Sequence, residues 1–149
     1  MKILLISGGA DSMYIYYNNK FDKFVYLNYG QKHIETELNI LDQIVKHNNN
    51  YDLLSVDNLT KDDNGFYECR NLKFILKIID TYKGVTSITF GTNADDKHPD
   101  NNRDFFDMIE RVIEMSYKKE IKILTPLKDI KKKDIVKGLS ELEIEYFTD

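Results

Sequence analysis

The residues best equipped for chemistry stand close to the start of the chain, in the run Ser7-Gly8-Gly9-Ala10-Asp11-Ser12. They follow the apolar stretch Ile3-Leu4-Leu5-Ile6 and lead into a segment that can form a helix. A strand, a turn of small residues and a helix N-terminus together make an anion site. Backbone N–H groups converge there, and the helix dipole adds partial positive charge. Gly8 and Gly9 allow a close backbone approach that a Cβ would block, and the hydroxyls of Ser7 and Ser12 add donors. Asp11 is the odd member, because a carboxylate beside a phosphate site repels the ligand unless a cation lies between them. That requirement points to Mg²⁺. No Gly-Lys-Ser/Thr follows, so the run is not a Walker A loop, and its spacing is not that of the dinucleotide fingerprint. Without a ligand, the same residues read as a Gly-Gly turn with two polar caps.

The elements that must hold this loop alternate. Lys2 to Ile6, 24–28, Tyr51 to Val56, Val85 to Phe90 and Ile121 to Leu124 read as strands. Ala10 to Asn18, His33 to His47, Asn71 to Tyr82, Arg103 to Lys118 and Lys131 to Leu142 read as helices, and His33 to His47 and Asn71 to Tyr82 carry apolar residues at helical spacing. Residues 57–69 read as a polar loop, Asp129 as the cap of the last helix, and 143–147 as a last short strand. This alternation predicts an α/β fold with a parallel sheet covered on both faces. Ligands then belong at the carboxyl ends of the strands. The segments that follow the strands carry the unusual polar residues: Tyr29-Gly30-Gln31-Lys32-His33 after the second, Gly91-Thr92-Asn93-Ala94-Asp95-Asp96 after the fourth, and Thr125-Pro126-Leu127-Lys128 after the fifth.

The 149 residues suit one domain spanning 1–149, large enough to bury a core. A formal net charge of −4 argues against strong nucleic-acid binding; the Lys131-Lys132-Lys133 run reads as a solvated helix face. Cys69 is the only cysteine, so no intrachain disulfide and no cysteine-cluster metal site is expected. No apolar stretch is long enough to span a membrane, and no leader is apparent, so a cytoplasmic setting is expected.

The loop resembles the SGGxDS loop of the PP-loop ATP pyrophosphatases, which holds the pyrophosphate of ATP while a substrate is adenylated. The chain as a whole resembles the 7-cyano-7-deazaguanine synthase family. Its Tyr-Gly-Gln-x-His segment is here Tyr29 to His33, and its Gly-Arg-Asn is Cys69-Arg70-Asn71. Its Gly-x-Asn-x-x-Asp is matched by Gly91, Asn93 and Asp96, and its Pro-Asp-Cys-Arg-x-x-Phe loosely by 99–105. Its Thr-Pro-Leu with a later lysine is matched by Thr125-Pro126-Leu127 and Lys132. The resemblance implies a Rossmann-like sheet of about five parallel strands. It also implies conversion of a 7-deazaguanine carboxylate to an amide and then a nitrile, using ammonia and two ATP, each split to AMP and pyrophosphate.

Roles follow by resemblance. Ser7, Gly8, Gly9, Ala10, Asp11 and Ser12 would hold pyrophosphate, with Asp11 near Mg²⁺ and with Tyr29 and Gly91 beside the nucleotide. Arg70 would neutralise phosphate or the substrate carboxylate, Lys132 would contact phosphate, and His33 would orient substrate or carry a proton near neutral pH. Gln31, Asn71, Asn93, Asp96, Asp100 and Arg103 would line the deazaguanine side, where a purine-like edge needs paired donors and acceptors. The structural alternatives are a helix N-terminal charge for Asp11, a surface ion pair for Arg70, a solvated side chain for Lys132 and a helix-start hydrogen bond for His33.

This sequence departs from the family pattern in places. Members end in a cysteine-rich segment that ligates structural zinc, and no zinc is expected from this chain. The family glycine before Arg-Asn is Cys69, and the glutamate expected three residues after His33 is Thr36, with Glu35 and Glu37 on either side. The alternatives are a PP-loop adenylating enzyme with another acceptor (tRNA, a peptide or a small acid) and a non-catalytic nucleotide-binding module. A homodimer and a partner protein both stay open.

Overall fold

The computed structural model describes residues 1–45, 48 and 50–147. Its elements are β1 (Lys2–Leu5), α1 (Ala10–Asn18), β2 (Lys23–Asn28), α2 (Ile34–Ile44), β3 (Tyr51–Ser55), α3 (Arg70–Thr81), β4 (Ser87–Thr89), α4 (Arg103–Tyr117), β5 (Lys122–Leu124) and α5 (Lys132–Glu141). All four strand pairings are parallel, in the order β3-β2-β1-β4-β5. The ladders run a little beyond the strands: Ile6 N donates to Val25 O and Phe90 N to Leu124 O, both at 2.9 Å.

Because successive side chains in a strand point to opposite faces, neighbouring apolar residues divide between two cores. Ile3, Val25, Leu27, Ile88 and Ile123 join Phe74, Ile78, Phe106 and Ile109 of α3 and α4. Leu4, Ile6, Phe24 and Tyr26 join Met13 and Ile15 of α1, Leu41 of α2, and Ile135 and Leu139 of α5. A strand buried on both faces needs apolar residues at every position, which is why β1 reads as a continuous apolar run. Full burial of one such side chain contributes about 1.5–3 kcal/mol, so these two layers supply most of the stabilisation.

The chain runs outward from β1 through β2 to β3, then returns across the sheet to β4 on the other side of β1. The loops after β1 and β4 therefore diverge at a topological switch point, where open α/β sheets bind ligands. α5 packs closely on α1: a Cβ at Gly138 would lie 2.9 Å from Tyr14 Cε2. That approach carries the start of α5 toward the start of α1.

Two expectations differ from the structure. Asp129 does not cap α5. Its carboxylate pairs with Lys128, residues 125–130 turn before the helix begins, and Lys131 is the N-cap residue. The 143–147 segment contributes one isolated parallel bridge between Gly9 and Phe147 rather than a strand. The expected end of α2 at His47 lies outside the described residues.

Candidate active site

α1 begins at Ala10, and Gly9 at its N-cap offers no side-chain cap. The first-turn N–H groups of Ala10, Asp11 and Ser12 have no acceptor within the helix, as at any helix start. Gly8 takes φ +81°, a left-handed conformation suited to glycine. The serines brace the turn. Ser7 N donates to Ser12 Oγ at 3.0 Å, Gly9 N donates to Ser7 Oγ at 3.3 Å, and the two hydroxyls lie 3.3 Å apart.

Asp11 is held from two directions. Asn93 Nδ2 donates to its Oδ1 at 3.1 Å, and Lys132 Nζ donates to its Oδ2 at 2.9 Å. The loop after β4 positions both partners. Asp95 N donates to Asn93 Oδ1 at 2.8 Å, while Asp95 Oδ2 accepts from Lys132 N at 2.9 Å and so caps α5 from 37 residues away. The Lys132 ammonium thus stands beside the Asp11 carboxylate. Of the three consecutive lysines, the fold selects Lys132. Gly91 closes the arrangement: a Cβ there would sit 2.8 Å from Asp11 Cβ and 3.3 Å from Ser12 N. Asp96 accepts from Asn93 N at 2.8 Å. Burial pushes its carboxyl above the ordinary carboxylate range; the Asn93 N–H opposes this and the Asp11 charge reinforces it.

A cavity of about 330 Å³ opens beside this cluster. Ser7, Asp11 and Ser12 line it from the first loop, Tyr29 and Gln31 from the segment after β2, Arg70 and Asn71 from the start of α3, and Gly91 and Asp96 from the segment after β4. Four strand-end and helix-start segments therefore converge here. Arg70 stacks over the rings of Tyr29 and Phe74, 5.7 and 5.8 Å from their centroids, and Nη1 is 3.4 Å from Tyr29 Oη. It pairs with no carboxylate among the described residues. Burial raises the Tyr29 hydroxyl above its usual range, with Arg70 pulling the other way.

Of the other sequence candidates, Gln31 is held by its neighbours, and Asp100, His33 and Arg103 lie outside the cavity wall. Gln31 lines it, but its amide is engaged: Oε1 accepts from Tyr29 N at 2.9 Å, and Nε2 donates to Tyr26 Oη at 2.7 Å and Leu27 O at 3.1 Å. Asp100 secures α3, accepting from Asn71 N through Oδ2 and from Asn71 Nδ2 through its carbonyl. His33 is the N-cap residue of α2, its ring 5.1 Å from that of Phe147. Arg103 lies at the α4–β5 contact, with Asp107, Glu110, Ile123 O and Thr125 as partners.

Sequence reasoning missed Glu37, Thr92, His98 and Asn101, which also line the cavity. Glu37 carried a signal. It lies four residues after His33, one turn along α2, and its carboxylate accepts from Tyr26 Oη at 2.7 Å.

A family model described as "Queuosine biosynthesis protein QueC" matches residues 58–148, more than half of the chain. The chain belongs to the QueC family. The matched part holds Arg70, Gly91, Asn93, Asp96 and Lys132, and the Ser7–Ser12 loop lies before it. Two relatives extend the likeness of this QueC-family chain over both parts. It is 27% identical over 179 aligned residues to the 7-cyano-7-deazaguanine synthase of Chlorobium phaeobacteroides (strain BS1), covering 97% of this chain and 79% of that protein. It is 27% identical over 178 residues to the 7-cyano-7-deazaguanine synthase of Chlorobaculum parvum (strain DSM 263 / NCIMB 8327), covering 97% and 78%. Among the described residues of this QueC-family chain, no helix is long and apolar enough to cross a membrane. No group of three or more His, Cys, Asp or Glu among them forms a metal-holding cluster.

Proposed function

We propose that this chain is an ATP-dependent ligase that activates a carboxylate with release of AMP and pyrophosphate. Its acceptor is 7-carboxy-7-deazaguanine and its nitrogen donor ammonia, leading to the amide and then 7-cyano-7-deazaguanine. The observation that carries this reading is the meeting of Asp11, Lys132 and Asn93 at the open N-terminus of α1, directly beside the Ser7–Ser12 turn.

The residues present suit a bound triphosphate. Three first-turn N–H groups, two hydroxyls and one ammonium offer donors to phosphate oxygens. Asp11 supplies one carboxylate, enough for Mg²⁺ when phosphates and water fill most of its shell. ATP, when bound, supplies the adenylyl group that makes the carboxylate reactive toward ammonia. The chain's own residues answer the charge that builds on the departing pyrophosphate. The N–H groups of α1 and Lys132 are fixed before reaction, so they stabilise that charge without reorganising. Asp95 keeps Lys132 in register with Asp11.

Product analysis tests this reading. The purified chain is incubated with Mg·ATP and ammonium, with and without 7-carboxy-7-deazaguanine, and AMP, ADP, amide and nitrile are separated. The expected result is AMP that appears only with the acid, together with amide or nitrile. AMP formed without the acid, or ADP in its place, would overturn the proposal.

A further inference from the structure

A second cavity, of about 600 Å³, lies between the 62–69 segment and the 98–105 segment. It shares Arg70 and His98 with the first cavity. The 62–69 segment has an ordered turn: Asp62 Oδ1 accepts from Asn64 N and Phe66 N, and Lys61 and Tyr67 form an antiparallel bridge. This turn presents Phe66, which is 46% exposed yet fixed edge-on to the His98 ring at 4.6 Å. Phe105 stands on the opposite segment. Tyr67 packs against Tyr29 with ring centroids 5.1 Å apart, so the aromatic wall of one cavity continues into the other.

The charges around this cavity are uneven. Asp62, Glu68 and Asp100 contribute carboxylates, and among the described residues Arg70 is the one lysine or arginine on its wall. A cavity with these walls suits a flat ring rich in N–H donors, since aromatic side chains contact its faces and carboxylates accept from its edge. It tolerates an anion at one place, beside Arg70, whose guanidinium has no carboxylate partner among the described residues.

We propose that this second cavity is the acceptor subsite: it takes the ring of a planar heteroaromatic acid and turns the acid's carboxylate to Arg70, at the boundary with the first cavity. This rests on the reading of the first cavity as the nucleotide site. It assigns Arg70 to the acceptor carboxylate rather than to phosphate, and makes Phe66 a specificity residue that the sequence motifs do not contain.

The test combines turnover with direct binding on the full chain. Phe66→Ala raises the KM for 7-carboxy-7-deazaguanine about tenfold, the loss expected for one base–aromatic stack, and leaves the KM for ATP unchanged. Arg70→Met weakens calorimetric binding of the acid but not of 7-deazaguanine, which lacks the carboxylate. Should Phe66→Ala lose its fold, Phe66→Leu keeps the apolar bulk, removes the ring and gives the same reading. An unchanged acceptor KM in the Phe66 variant, or an equal rise in both KM values, overturns the subsite while the ligase reading stands. If the chain makes no AMP with this acid but binds another planar heteroaromatic acid through Phe66 and Arg70, the ligase reading falls and the subsite stands. If no planar acid binds, the subsite is overturned.

Discussion

Lys132 Nζ lies 2.9 Å from Asp11 Oδ2, joining residues 121 positions apart. The pair unites the first turn of α1 with the first turn of α5 at the point where a phosphate chain would lie. Its side chains are 46% and 23% exposed. An ion pair this open adds at most about 1 kcal/mol to stability. Lys132→Met is therefore expected to keep the wild-type fold and to lower kcat/KM for AMP formation by about 10²–10³-fold, the loss typical of one preorganised donor at developing negative charge. AMP release and a thermal melt on the same preparation check both halves.

Gly91→Ala tests the contact between the β4 loop and the start of α1. The added methyl would meet Asp11 Cβ at 2.8 Å and Ser12 N at 3.3 Å, and the backbone of the first turn of α1 cannot move aside easily. Overpacking of this kind costs about 1–3 kcal/mol, and here it also displaces Asp11 from Asn93. Urea denaturation is expected to show the loss, and ATP affinity to fall with it.

Cys69 occupies the position where the resembling family has glycine, and it takes φ +52° at the N-cap of α3. A side chain in the left-handed region costs about 1–2 kcal/mol relative to its preferred conformations. Cys69→Gly relieves that strain but adds backbone freedom to the unfolded chain, at about 0.5–1 kcal/mol. A small net gain in stability, read as a higher urea midpoint, is expected; a clear loss would show that the Cys69 side chain stabilises the α3 start.

Arg103→Met separates a binding role from a structural one. The guanidinium bridges Asp107 and Glu110 and donates to Ile123 O at 2.6 Å. Its loss leaves a half-buried Glu110 without one partner, and a destabilisation of about 1–3 kcal/mol is expected. The KM for the acceptor should not change. A raised KM with unchanged stability would return Arg103 to the substrate side.

Asp52 gives the fold an acid-sensitive element. Burial pushes its carboxyl up, but hydrogen bonds from Tyr82 at 2.5 Å and Lys23, together with the Lys23 charge, outweigh burial and hold it below the usual range. A carboxyl lowered by folding contributes stability that is fully present above its unfolded value of about 3.9. That contribution is lost as pH falls through the lower folded value. Asp52→Asn is expected to flatten the fall in urea midpoint below about pH 4 and to leave its slope near neutral pH unchanged.

The strands and their loops were legible because a parallel sheet buried on both faces leaves apolar runs, each followed by polar residues at its carboxyl end. The helix Ala10–Asn18 was legible to its boundaries. Long-range satisfaction of local groups was not legible. Asp129 has the right type and place for a cap, but the carboxylate at the α5 start comes from Asp95. Gln31 reads as a free polar group after β2, while its amide is spent on Tyr29, Tyr26 and Leu27. No local pattern marks Lys132, 121 positions away, as the neighbour of Asp11.

The placement of β1 also bears on biosynthesis. On one side β1 pairs with β2, which follows it closely; its other edge waits for Ser87–Thr89 of β4. While the ribosome is making the residues between, a nascent half-sheet presents Ile3 and Leu4 along an unpaired, strongly apolar edge, the template that invites another chain to pair. Yield on overexpression should therefore be most sensitive to how soon β4 docks, and a translational pause that holds β4 inside the ribosome should divert more chains into inclusion bodies than a pause after β4 has emerged.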